Sequence, residues 1–130
     1  MKIAGYAAVY DRVDRAGDVI RSGAFAGAGV VPLLMQHRGR AVGVLTAVAE
    51  DARGLRIEGE VADADVARLV RAGALPGLSV GYRARATRQG VWREILRADL
   101  AEVSLVAVPM QPAARLERVL ERGASAGPPA

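Results

Sequence analysis

From Lys2 to Val9 the chain is small and apolar with little polar interruption, the pattern of a first, buried strand. From Tyr10 to Gly29 that pattern breaks up, with Asp11, Asp14, Asp18 and four glycines scattered through what reads as a loop. Pro32 to Gln36 is a short apolar run ending at His37. Ala41–Glu50 and Leu55–Ala62 predict a hairpin, because Asp51-Ala52-Arg53-Gly54 supplies turn chemistry with a glycine for a position of positive φ. Asp63 can cap a short helix whose Val66, Leu69 and Val70 share one face, with Gly73 closing it. Gly77–Thr87 and Val91–Leu96 predict a second hairpin turning at Arg88-Gln89-Gly90, and Leu100–Val108, apolar on both faces, predicts a central strand. After Pro109, Ala113–Arg122 has the spacing of a second amphipathic helix with Leu116, Val119 and Leu120 facing in.

Six or seven strands against two short helices predict a β-rich α+β domain over residues 1–122, its sheet curled or closed into a barrel. The Gly, Ala, Ser and Pro tail, 123–130, is expected to be flexible. No internal repeat or second domain is visible.

Composition narrows the chemistry. The 130 residues are 52% hydrophobic but only 4% aromatic, so the core must rest on Ala, Val and Leu, and a large cofactor pocket is not expected. Cysteine is absent, which removes disulfides, thiolate metal sites and cysteine nucleophiles. His37 is the one histidine, so a multi-histidine metal site is not expected either. No apolar run reaches the roughly 20 residues of a membrane span, and the N-terminal residues lack a signal-peptide pattern, so a soluble, intracellular protein is expected. The net charge of +4 and pI of about 10.3 are carried mainly by arginine. That permits an acidic or nucleic-acid partner, but an Arg- and Ala-rich coding bias explains it as well, and no aromatic-interleaved basic motif is present.

Gly77-Leu78-Ser79-Val80-Gly81 matches the G-x-S-x-G pattern of a nucleophile elbow. The α/β-hydrolase version of that motif fails here, because no histidine follows Ser79 and the chain is too short. Within a strand, alternation puts Leu78, Val80 and Tyr82 on a core face. Gly77, Ser79 and Gly81 take the other face, where a substrate backbone could come close to a hydroxyl between two positions without side chains. Glycines at a sheet bend with an incidental serine are the plainer alternative. A hydroxyl needs a base to become a nucleophile, and His37 is the only imidazole available. A lone histidine can equally be structural or merely exposed. A third group would orient the imidazole, and Glu102 stands out as a carboxylate inside the apolar run Leu100–Val108. Buried unpaired it would cost several kcal/mol, so it needs a donor: His37 or one of the many arginines. Asp99, at the entrance of the same strand, is the second candidate.

Three segments carry a family resemblance. The first is Gly5-Tyr6-Ala7-Ala8-Val9-Tyr10 with Asp14, Gly17-Asp18-Val19-Ile20 and Gly23-Ala24-Phe25; the second is Leu33-Leu34-Met35-Gln36-His37 with Val42-Gly43. The third is Gly77-Leu78-Ser79-Val80-Gly81-Tyr82, then Leu100-Ala101-Glu102-Val103-Ser104-Leu105-Val106, Pro109 and Ala113. In this order and spacing they resemble the prohead (capsid maturation) proteases of tailed phages and gene transfer agents. More distantly the chain is similar to the herpesvirus assemblins, a β-barrel with surrounding helices and a Ser-His-His triad. The resemblance implies a serine peptidase with Ser79 and His37 in the active site and Glu102 on the strand expected to hold the third member. Two departures stand out: the usual Pro-Ala-Asn is Pro109-Met110-Gln111, and the long C-terminal extension of many relatives is missing.

The implied chemistry is acyl transfer without cofactor or metal. Implied partners are the major capsid protein with its scaffold segment, the protease itself, for which Gly123-Ala124-Ser125-Ala126 offers a stretch of small residues, and further copies in a homo-oligomer. The implied place of action is the procapsid assembling in the bacterial cytoplasm. Two rival readings stay open. One is a non-catalytic capsid- or scaffold-binding module on the same barrel. The other is a basic nucleic-acid-binding barrel using Arg83, Arg85, Arg88, Arg93 and Arg97.

Overall fold

The computed structural model describes residues 1–121. The tail 123–130, with its stretch of small residues, and Arg122 lie outside them. The elements in order are β1 (Lys2–Val9), β2 (Asp18–Ile20), β3 (Leu33–Met35), β4 (Arg38–Glu50), β5 (Gly54–Val61), α1 (Ala64–Arg71), β6 (Gly77–Gln89), β7 (Arg93–Val106) and β8 (Leu116–Leu120). Among the described residues the fold is β-rich with one short helix.

The sheet order is β2-β7-β3-β4-β5-β1-β8, with β6 pairing β7 off this path. The sheet is curled but not closed, contrary to the closed form of the expected barrel. Near the gap, β6 and the approach to β8 meet only at an isolated Gly77–Arg115 bridge, flanked by main-chain bonds from Leu78 N–H to the Ala114 carbonyl (2.9 Å) and Leu116 N–H to the Pro76 carbonyl (3.1 Å).

The second expected helix, Ala113–Arg122, is not formed. Leu116–Leu120 is instead β8, antiparallel to β1 with Ile3 opposite Val119. β1 is buried at every residue after Lys2, so its outer main-chain groups need protein partners, and satisfying them outweighs the local helical spacing. Consequently Val119 and Leu120 stay partly exposed rather than facing in. Two further expectations are corrected. The strand expected at Val91–Leu96 and the central strand expected from Leu100 are one continuous strand, β7, antiparallel to β6 through bulges. Gly54 does not adopt positive φ; it lets the β1 main chain pass close over it.

The first helix forms as its sequence suggests. The Asp63 side chain accepts from the N–H groups of Asp65 (2.9 Å) and Val66 (3.0 Å), and Gly73 ends it in the left-handed conformation at φ 76°. Val66, Ala67 and Val70 are buried, while Leu69 faces outward.

Two apolar clusters hold the sheet. Ile3, Leu33, Leu45, Ile57, Leu78, Val103 and Leu105 form one beneath α1. Ala8, Tyr10, Ile20, Phe25, Leu55 and Ile95 form the other, with Phe25 edge-on to Tyr82 at 5.9 Å between ring centres. Val80 and Leu100 pack against both clusters. Leu78 and Val80 therefore anchor the core face of β6 on either side of Ser79.

Candidate active site

Ser79 sits opposite Ser104 in the β6–β7 ladder, and Gly81 sits opposite Glu102. Alternation places Gly77, Ser79 and Gly81 on one face together with Glu102, Ser104 and Val106. The two glycines do not leave open ground beside the serine, as the sequence alone suggested. A Cβ on Gly81 would lie 2.5 Å from Glu102 Oε1, and one on Gly77 would lie 2.7 Å from the Pro109 ring. Their missing side chains make room for the carboxylate and for the proline.

His37 arrives from the other neighbour of β7. β3 runs parallel to β7, with Leu34 opposite Ser104 and Met35 opposite Leu105. The chain then reverses into β4, with Met35 paired to Arg38, so Gln36 and His37 are the two central residues of a tight hairpin. Both are left-handed, at φ 53° and 59°, as a mirror-image turn requires. Neither is glycine, so the turn holds backbone strain that its surroundings must offset. Four contacts do so. Gln36 N–H donates to the Leu105 carbonyl (2.9 Å), Gln36 Oε1 accepts from Ala107 N–H (3.0 Å), and His37 N–H donates to Ser104 Oγ (3.0 Å). The fourth pairs His37 Nδ1 with Glu102 Oε1.

Ser104 closes this network, since its hydroxyl donates to Glu102 Oε2 (2.7 Å) while accepting from the His37 amide. The Glu102 side chain is 15% exposed and the His37 ring 44% exposed. The ring is thus tied down at one nitrogen and open to solvent elsewhere. Asp99, the second carboxylate candidate, is elsewhere: it pairs with Arg85 and lines a different cavity with residues 26–29.

Ser79 is 6% exposed. It lines two cavities that His37 also lines. One is a small pocket of about 150 Å³ walled by Ala7, Ala16, Ile20, Val80, Tyr82 and Gln111, with Asp14 and Asp18. The other is an open groove of about 800 Å³ along Met35–Gly39 and Val106–Val108. The structure therefore brings Ser79 of β6, Glu102 of β7 and His37 of the β3–β4 turn to one place.

The pocket's far wall is built by loops. Gln111 is buried and pairs through both amide atoms with Val9, accepting from its N–H (2.7 Å) and donating to its carbonyl (2.8 Å). Arg15 ties the 11–17 loop to the same segment, its N–H reaching the Met110 carbonyl (3.0 Å) and its Nε the Pro109 carbonyl (3.1 Å). Asp14 Oδ1 accepts from the amides of Ala16 (2.8 Å) and Asp18 (2.9 Å), which shapes the loop into a turn. The Arg93 guanidinium grips both oxygens of Asp18 (2.8 and 2.9 Å) and holds its carboxyl below the usual carboxylate range. Burial pushes the Tyr82 phenol up, with Asp18 and Asp14 adding to the effect, so it stays a neutral hydroxyl.

Sequence reasoning missed Ser104, Gln36 and Gln111. Ser104 could have been found, because it stands two residues from Glu102 on the same strand and so on the same face. Gln36 and Gln111 carry no such signal. Among the described residues, no group of three His, Cys, Asp or Glu is placed to hold a metal ion, and no helix is long and apolar enough to cross a membrane.

The fold has relatives among solved structures. The bacteriophage T4 capsid assembly protease shares the fold at a TM-score of 0.64 and 14% identity, over 81% of this chain and 80% of that one. KSHV protease, solved with a hexapeptide phosphonate inhibitor, aligns at a TM-score of 0.59 and 14% identity, over 85% of this chain. The present chain spans 60% of that herpesvirus chain. No curated protein matches. The family model of the caudovirus prohead serine protease matches residues 1–127, and the chain belongs to that family of serine peptidases.

Proposed function

We propose that the protein is a serine endopeptidase of capsid maturation, with Ser79 as nucleophile, His37 as general base and Glu102 as the group that orients the base. The observation that carries this reading is the contact of His37 Nδ1 with Glu102 at the mouth of the two cavities that Ser79 lines. With Nδ1–H donated to the carboxylate, the free lone pair of the neutral ring is on Nε2, the nitrogen left to take a proton. Ser79 Oγ forms a bond to the scissile carbonyl carbon as its proton passes to Nε2. The resulting imidazolium is stabilised by Glu102, whose second oxygen Ser104 already fixes. Collapse breaks the C–N bond, and the proton moves from Nε2 to the leaving amine. Water then attacks the acyl ester by the same relay and restores the serine.

The substrate in this reading is the N-terminal scaffold segment of the major capsid protein, with self-cleavage as a second event, inside a procapsid assembling in the host cytoplasm. Membership of the prohead protease family and the fold shared with a capsid assembly protease support it.

The test is reaction with an alkyl fluorophosphonate, followed by peptide mapping. Labelling at Ser79 that disappears in His37→Ala is expected. Co-expression with the neighbouring capsid protein should yield a new N-terminus in that protein. Folded, assembled protein that neither labels nor cuts would instead leave a capsid-binding module on the same scaffold.

A further inference from the structure

The two cavities at Ser79 are chemically unlike, and the difference bears on which peptide is cut. The groove contains the whole His37 hairpin, Met35 to Gly39. The leaving amine must take its proton from the imidazole, so the groove suits the leaving-group side of the scissile bond. The pocket shares only His37 with that hairpin and runs the other way, between β1, β6 and the 11–18 loop. It therefore lies on the acyl side.

Its size and charge are specific. About 150 Å³ is the size of a cavity that admits benzene, enough for one unbranched side chain and too little for a large aromatic one. Ala7, Ile20 and Val80 give it apolar walls suited to a methylene stem. Its ionisable lining besides His37 and Tyr82 is two carboxylates, Asp14 and Asp18. Asp18 is neutralised by the bidentate Arg93. Asp14 is not: its Oδ1 accepts two main-chain amides, it has no ion-pair partner among the described residues, and the neighbouring Arg15 is turned away to the Pro109 carbonyl. Ser79 lines the same space.

We propose that this pocket is the primary specificity subsite and that it selects a lysine-like side chain on the acyl side of the scissile bond, with the stem against Ala7, Ile20 and Val80 and the cation at Asp14. The proposal rests on the serine peptidase reading and is tested apart from it. The full chain is treated with diphenyl aminoalkylphosphonates of constant peptide sequence carrying lysine, norleucine, alanine or glutamate side chains at the reacting centre. Rates of Ser79 modification are read by mass spectrometry, with an alkyl fluorophosphonate as the side-chain-independent reference.

Lysine should react at least about tenfold faster than norleucine, which has nearly the same stem without the charge, and glutamate should be slowest. Asp14→Asn keeps the Oδ1 acceptor that shapes the loop and removes the charge. It should bring the lysine-to-norleucine ratio to about one. Ala16→Trp, on the pocket rim, should lower both rates relative to the fluorophosphonate. Norleucine or alanine reacting as fast as lysine, in protein that the fluorophosphonate labels normally, would overturn the subsite and leave the peptidase standing. Failure of every probe to modify folded protein would remove the peptidase reading and this one with it.

Discussion

Glu102 and Glu94 lie on the same strand, and their side chains are sheltered to nearly the same degree, 15% and 13% exposed. Their partners differ completely. Glu94 is held by two guanidinium groups, Arg21 Nε at 2.7 Å and Arg88 Nε at 2.8 Å, which lower its carboxyl to about 2. Glu102 is held by an imidazole and a hydroxyl. In a chain with 18 lysines and arginines, none pairs with Glu102 among the described residues. A guanidinium is charged at all times and would compensate the carboxylate permanently. An imidazole becomes charged only when it takes a proton, so a carboxylate paired to it can respond to that event. The hairpin end of the β6–β7 pair is thus held by permanent charges, and the other end by an imidazole and a hydroxyl. Arg85 and Arg93 also carry carboxylate partners, which weakens the view of the arginine-rich hairpin as a nucleic-acid surface.

The contrast can be broken experimentally. The largest effect belongs to Ser79→Ala and His37→Ala, each expected to cut processing of a co-expressed capsid protein by at least about a thousandfold, read by gel and by mass of the product. Next, Glu102→Gln should slow cleavage by roughly 10²- to 10⁴-fold, with a melting temperature close to that of the parent. Glu94→Gln and Asp99→Asn should cleave at near the parental rate. If Asp99→Asn loses activity while Glu102→Gln keeps it, the two ends have been assigned the wrong way round.

A smaller effect is expected of Gly81→Ala. The added methyl would displace the Glu102 carboxylate, lowering the rate by about tenfold with little change in the unfolding midpoint. Gly90→Ala, at the hairpin tip where a Cβ meets nothing closer than 3.7 Å, should change neither quantity. The smallest effect is a pH dependence. Glu94 titrates lower in the folded chain than its ordinary 4.5, so its contribution is complete above that pH and is lost as pH falls toward about 2. Across this window the melting temperature of the parent should fall more steeply than that of Glu94→Gln.

Much of the sheet was legible because β1 and the buried end of β7 are continuous apolar runs, while β5 alternates between buried and more open positions. β8 was not, since its conformation is imposed by the needs of β1 rather than by its own residues. β2, three residues inside a loop, has no period to read. At the candidate site, alternation singled out Ser79 and scarcity singled out His37. The gaps beside the serine were misread because a missing side chain does not say what fills the space; Glu102 and Pro109 do so from elsewhere in the chain. The left-handed turn at Gln36–His37 was invisible for a related reason. Neither residue type announces positive φ, and the contacts that hold it come from β7 and the residues after it.

Those contacts have a consequence in time. The His37 ring meets its carboxylate across 65 residues of sequence, its amide meets Ser104 across 67, and Gln36 meets Ala107 across 71. Parallel pairing over such distances requires closing a large loop before any contact rewards it, which places it late in folding. The β6–β7 hairpin, in contrast, can form locally and carries Ser79 with Glu102 and Ser104 already on one face. A chain still folding would therefore hold its serine and carboxylate without a base. If Ser79 and His37 act as proposed, cutting power would arrive only once the β3–β4 turn has docked on β7.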